Sequence, residues 1–178
     1  MSAEAGQPIQ HVSDTALWVA HYRTLESRRP DAHFRDPYAA RLAGARGPEI
    51  VGRLRGGLQT AWAMIVRTVV FDELILRAIE RDGVDLVINL AAGLDARPYR
   101  MPLPAALRWV EVDLPAMIDH KESILADDEP VCRLERVRLD LTDRPGRQAL
   151  FARLAADASK VLVVAEGLAR IQIGRAHV

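Results

Sequence analysis

Val87-Ile88-Asn89-Leu90-Ala91-Ala92-Gly93-Leu94-Asp95-Ala96-Arg97 is the stretch that decides the fold. Val84 to Leu90 is a short apolar run bounded by glycines, as expected of a parallel strand buried on both faces. It runs directly into the small residues Ala91, Ala92 and Gly93. Such a turn lets a ligand approach the backbone at the carboxyl end of a strand, where doubly wound sheets bind their ligands. A tight strand-to-helix turn with no ligand needs the same residues, so the turn alone leaves both readings open.

Downstream, the pattern predicts strands over Arg108–Val112, Val131–Leu139 and Val161–Ala165, with helices over Pro115–Leu125 and Arg147–Ala156. This alternation implies right-handed crossovers and an α/β fold, a Rossmann-like, doubly wound parallel sheet with helices on both faces. Upstream, no strand is predicted. Ser13-Asp14 caps a helix from Thr15 to Ser27, ended by Pro30, and Asp36-Pro37 opens a short helix that Gly44 and Gly47 close. A long helix follows from about Leu58 to Arg81, with Ala61, Ile65, Thr68, Val69, Asp72 and Leu76 at three- and four-residue steps and Gly83 as its stop. The expected organisation is an N-terminal helical cap over residues 1–82 and an incomplete Rossmann-like domain over 83–171.

Composition narrows the function. With 49% hydrophobic and 27% charged residues, the 178-residue chain has globular composition. Lys plus Arg and Asp plus Glu each number 24. There is therefore no broad field to attract nucleic acid or anionic lipid, and neither is expected as a partner. Cys132 is the only cysteine, which excludes an internal disulfide and suits a reducing compartment. Met1 to Ser13 lacks a signal-peptide core, and no apolar run approaches the roughly 20 residues that span a bilayer. The expectation is a soluble, cytoplasmic protein. His11, His21, His33, His120 and His177 lack paired ligand spacing, so no metal is assigned. Cys132 reads as buried packing rather than a nucleophile, and Trp18, Trp62 and Trp109 as core, Trp18 also being a candidate wall of a substrate pocket.

The second strand ends Val110-Glu111-Val112-Asp113-Leu114-Pro115, placing Asp113 roughly 20 residues after Gly93. An acid at that tip can accept hydrogen bonds from both ribose hydroxyls of an adenosine-containing cofactor. Glu111, two residues earlier on the same face, is the reserve, and Asp113 could instead cap the helix begun at Pro115. A nicotinamide cofactor would use the acid in the same way, but a dinucleotide turn needs three glycines. This one has Gly93 alone and sets Asp95 where a phosphate would sit. A cofactor without phosphate is favoured, and S-adenosyl-L-methionine, cationic at its sulfonium and amino group, fits.

The segments LAAGLDARPYRM, VEVDLPAMIDHKESIL, VRLDLTD and VVAEGL, with HFRDPYAARLAG and VRTVVFDELI upstream, resemble in order the motifs of the leucine carboxyl methyltransferase family, S-adenosylmethionine-dependent O-methyltransferases. The resemblance covers Asp14 to Leu168, with Ala91 standing where the family usually has glycine. It implies that Gly93 packs against the cofactor, Asp113 holds the ribose, Asp140 with Leu141 frames the adenine, Arg67 meets the cofactor's carboxylate and Glu166 its amino group. The residues themselves partly agree. Arg67 interrupts an apolar stretch and would want a carboxylate partner if turned inward, or would snorkel along its helix if not. Asp140 and Glu166 each follow a strand and either reach one crevice or cap a following helix.

Past the Glu166-Gly167 pair the text changes, and residues 172–178 read like an in-frame translation of a sequencing adapter, a non-native tail. The resemblance implies seven strands where four can be placed, so a chain ending here is expected to expose an apolar sheet edge and to aggregate. The expected activity of the complete protein is methyl transfer to an oxygen, a carboxylate, of a small molecule or peptide, with no catalytic residue identified. The alternatives are an NAD-type oxidoreductase on a related sheet and an inactive cofactor-binding fragment.

Overall fold

In a computed structural model the protein is described over residues 12–54 and 57–166. The predicted tail lies outside the described residues. The chain forms two compact units, Met1–Val69 and Val70–Val178.

The first unit holds α1 (Val12–Ser27), α2 (Ala39–Ala43), α3 (Arg46–Arg53) and the start of α4 (Gly57–Asp82), a helix that continues into the second unit. Because α1 begins at Val12, Asp14 lies in its first turn rather than before it. A carboxylate there suits the positive end of the helix dipole, and Arg46 Nε sits 3.6 Å away. Pro37 belongs to a turn and α2 starts only at Ala39, since Asp36 turns the chain through its side chain, accepting the Tyr38 amide at 3.0 Å. Gly44, at φ 53°, ends α2 as expected.

Gly47 does not close α2; it lies inside α3, a helix the sequence reading missed. A Cβ at Gly47 would stand 2.9 Å from the Leu17 carbonyl oxygen and 3.1 Å from His21 Cβ, so this glycine serves the close approach of α3 to α1. Ala20, Tyr22, Leu42 and Ile50 are fully buried here, and Arg23 pairs with Asp36 at 2.9 Å. Trp62 is not core, contrary to expectation: it is 58% exposed and meets His33 edge-on. Trp18 packs edge-on against Tyr22.

The second unit is built on a four-stranded parallel sheet in the order β3-β2-β1-β4. Its strands are β1 (Leu86–Leu90), β2 (Arg108–Asp113), β3 (Arg133–Arg138) and β4 (Val161–Val164), joined through α5 (Arg97–Arg100), α6 (Pro115–Ile124) and α7 (Arg144–Ala155). Alternate residues point to opposite faces. Val87, Trp109 and Val164 pack with Ile75 and Ile79 of α4 on one face. Leu86, Ile88, Val110 and Val112 pack with Leu150 and Leu154 of α7 on the other. The sheet is thus covered on both faces, the Rossmann-like α/β architecture that the alternation predicted. Gly83, at φ 71°, stops α4.

The order reverses between β1 and β4, which makes the carboxyl end of that pair the topological switch point. β4 is an outer strand among the described residues, with Val161 39% and Val163 52% exposed. No helix of the described residues is long and apolar enough to cross a membrane.

Candidate functional site

The turn after β1 is shaped by two residues in the left-handed region, Ala91 and Gly93, each at φ 51°. Glycine adopts that conformation freely and alanine only at a cost. The Ala92 amide donates to the Val112 carbonyl, which carries β1–β2 pairing into the turn. The Gly93 amide then donates to Asp113 Oδ2 at 2.6 Å, while the Leu114 amide donates to Oδ1 at 2.7 Å. Asp113 therefore binds the turn rather than capping α6, whose cap position is Leu114 and carries no side-chain cap bond.

Glu111 is no substitute for Asp113. It is fully buried, with Lys121 Nζ donating to Oε1 at 2.6 Å and Arg136 Nε to Oε2 at 3.0 Å. Arg136 in turn donates to the Tyr99 hydroxyl. Facing the same side of the strand as Asp113, Glu111 is consumed by an internal ion network under α6.

At the switch point a second cluster forms around Arg97, which opens α5 and is only 3% exposed. Its Nη1 donates to Asp95 Oδ2 and to Glu166 Oε2, both at 2.9 Å, and its Nε to Asp72 Oδ1 at 2.6 Å. Asn89 donates to Asp95 Oδ2 at 2.8 Å, and Arg100 pairs with Asp72 at 2.7 Å. Burial alone would lower the Arg97 pKa, but Asp95, Glu166 and Asp72 outweigh it and raise it above the ordinary value. The guanidinium is held permanently charged by three carboxylates.

Asp140 and Leu141 follow β3. Asp140 Oδ1 accepts from the Thr142 amide and hydroxyl at 2.9 and 2.8 Å, forming an Asx turn, while the cap of α7 is Asp143. The Leu141 side chain is buried in the core beneath the sheet, and its carbonyl accepts from Arg147. Arg67 is half-buried on α4 in the N-terminal unit. Of the predicted residues, the structure thus joins Gly93 directly to Asp113, and it pairs Glu166 with Arg97, which was not predicted.

Arg97, Asp72 and Asn89 went unassigned in the sequence. The available signals were an arginine two residues after Asp95 at the end of a buried strand, and an acid, Asp72, among the apolar residues of α4. Cys132 is buried among Val87 and Trp109 in the core, and its thiol is pushed up to about 11 by burial, with Glu111 adding to the effect. That fits packing rather than nucleophilic chemistry.

A parallel sheet of this order, with a small-residue turn after its first strand and an acid at the tip of the second, defines a Rossmann-like fold, a class in which ligands bind at the carboxyl edge of the sheet. The comparisons with known proteins carry the assignment further: residues 16–170 match the leucine carboxyl methyltransferase family, and the chain belongs to it. A Streptomyces coelicolor protein named as an S-adenosyl-L-methionine-dependent methyltransferase is 37% identical over 153 residues, 82% of this chain and 54% of that protein. One of the same description from Streptomyces avermitilis is 34% identical over 163 residues, 86% of this chain and 57% of its own length. A third, from Parafrankia, is 42% identical over 142 residues, 74% of this chain and 46% of its own. The chain spans about half the length of the curated relatives it matches.

Proposed function

We propose that the protein is an S-adenosyl-L-methionine-dependent methyltransferase acting on an oxygen, a carboxylate, of a small molecule or peptide. The observation that carries this reading is the bond from the Gly93 amide to Asp113, which puts an acid at the mouth of a turn lined by small residues. The residues present fit the cofactor. Asp113 offers a charged acceptor for ribose hydroxyls, and Asp95 and Glu166 bring acids that suit a cationic donor. The turn lacks the glycines that cradle a pyrophosphate.

In this reading Gly93 and Asp113 hold the nucleoside, Asp140 and Leu141 border the adenine, Glu166 receives the amino group and Arg67 the carboxylate. Residues 1–82 then form a helical cap and 83–171 part of the cofactor-binding domain of a cytoplasmic enzyme without membrane or nucleic-acid partners. The bound cofactor supplies an activated methyl group. A carboxylate acceptor is ionised at neutral pH and asks no general base of the protein, whose task is alignment and exclusion of water.

Isothermal titration with S-adenosylhomocysteine and, separately, NAD tests the reading. Binding of the first alone is expected, and binding of NAD in its place overturns it. Transfer of label from a methyl-labelled donor to a component of a cell extract tests the activity itself.

A further inference from the structure

We propose that Arg97 is a positioning residue for the cofactor's amino-acid end: its guanidinium holds Glu166, beyond β4, in fixed relation to Asp95, beyond β1, across the switch point. This rests on the reading of Glu166 as the partner of the donor's amino group.

Glu166 follows β4, a four-residue strand, and its carboxylate needs an anchor to keep one orientation. Arg97 provides it from the opposite side of the switch point. One nitrogen, Nη1, serves Asp95 and Glu166 together at 2.9 Å, so moving either carboxylate disturbs the other. Arg97 is itself held from two directions. Its amide donates to Asp95 Oδ1 at 2.9 Å, and its Nε is fixed by Asp72 at 2.6 Å with the Phe71 ring 5.8 Å from the guanidinium carbon. The rigid planar fork is what allows three carboxylates to be addressed at once, and a lysine ammonium could not reproduce that geometry.

The carboxylates gathered by Arg97 bear on ligand choice. Asp72, Asp95 and Glu166 all pair with Arg97, and Asp72 also pairs with Arg100. A carboxylate favours a cationic amino group beside it and disfavours an anion, and Glu166 offers one. Arg97 moderates that field and fixes where it is presented, without itself being a catalytic residue.

The test compares two ligands in the full chain: S-adenosylhomocysteine, which carries the amino-acid tail, and 5′-methylthioadenosine, which lacks it. Arg97→Lys is expected to weaken the first by roughly 10-fold or more, as loss of a charge-assisted contact does, and to leave the second unchanged. Glu166→Gln should show the same selectivity, and the double variant should lose less than the two single losses combined. If Arg97→Lys does not fold, Asp72→Asn keeps the guanidinium but removes the charge that fixes its Nε, and should give a smaller loss with the same ligand selectivity. Equal weakening of both ligands, or no change in either, overturns the positioning role while leaving cofactor binding intact. A wild-type chain that binds neither ligand overturns the cofactor reading, and this inference with it.

Discussion

The backbone amide of Gly93 and the carboxylate of Asp113, 20 residues apart in sequence, are joined by a 2.6 Å hydrogen bond. It fastens the turn after the first strand to the tip of the second, so one side chain both shapes the turn and presents the acid. Replacing Asp113 by Asn keeps an acceptor for one amide and removes the charge. S-adenosylhomocysteine affinity measured by titration is expected to fall roughly 10- to 100-fold, the scale of a lost charge-assisted hydrogen bond. Unchanged affinity would remove the site from this crevice.

Ala91 holds φ 51°, a conformation that costs an L-residue with a Cβ about 1–2 kcal/mol. Glycine relieves that strain but adds about 0.5–1 kcal/mol of unfolded-state entropy. Ala91→Gly is therefore expected to raise the thermal midpoint by up to about 6 °C. Ala92, buried beside it, should show a loss on the same substitution, and a fall for Ala91→Gly in thermal melts counts against strain at this turn.

The parallel sheet was legible in the sequence because its strands are apolar runs, and two-sided burial leaves little room for another reading. The edges were less legible. β3, Arg-Leu-Glu-Arg-Val-Arg, is mostly half-exposed and shorter than the run that announced it. Gly47 read as a stop because glycine more often ends a helix than lines a helix contact, and only the Leu17 carbonyl beside it reveals the difference. The acids at the strand tips could be named from spacing, but their partners could not. Whether Glu111 or Asp113 faces a ligand depends on Lys121 and Arg136, which reach it from α6 and β3. Arg97 escaped notice because a buried arginine is recognisable only once its carboxylates are gathered around it.

The Cys132 thiol, pushed up to about 11 from an ordinary 9 chiefly by burial, links stability to alkaline pH. The folded chain keeps this proton where the unfolded chain loses it. The contribution is complete below pH 9 and lost as pH rises through about 11. Tyr22 and Tyr99, also raised first by burial, add to the same decline, so the decisive quantity is a difference. The urea midpoint of Cys132→Ala is expected to fall less steeply across that window than the wild-type midpoint. Parallel slopes would show that the thiol does not feel its burial.

The Glu111 network predicts an asymmetry between its two fully buried members. Glu111→Gln strands Lys121 Nζ, 2.6 Å from the former carboxylate and 0% exposed, while Arg136 keeps Glu122 at 3.8 Å as a charge partner. An uncompensated buried charge costs about 3–5 kcal/mol. Lys121→Met removes one cation but leaves Glu111 its 3.0 Å bond to Arg136, and the methionine stem replaces most of the lost packing. Its cost is expected nearer 1–3 kcal/mol, that of one charged hydrogen bond. Urea unfolding of the two variants at neutral pH reads the difference directly. If Lys121→Met proves the more damaging, then Arg136 does not neutralise Glu111, and the carboxylate depends on Lys121 alone.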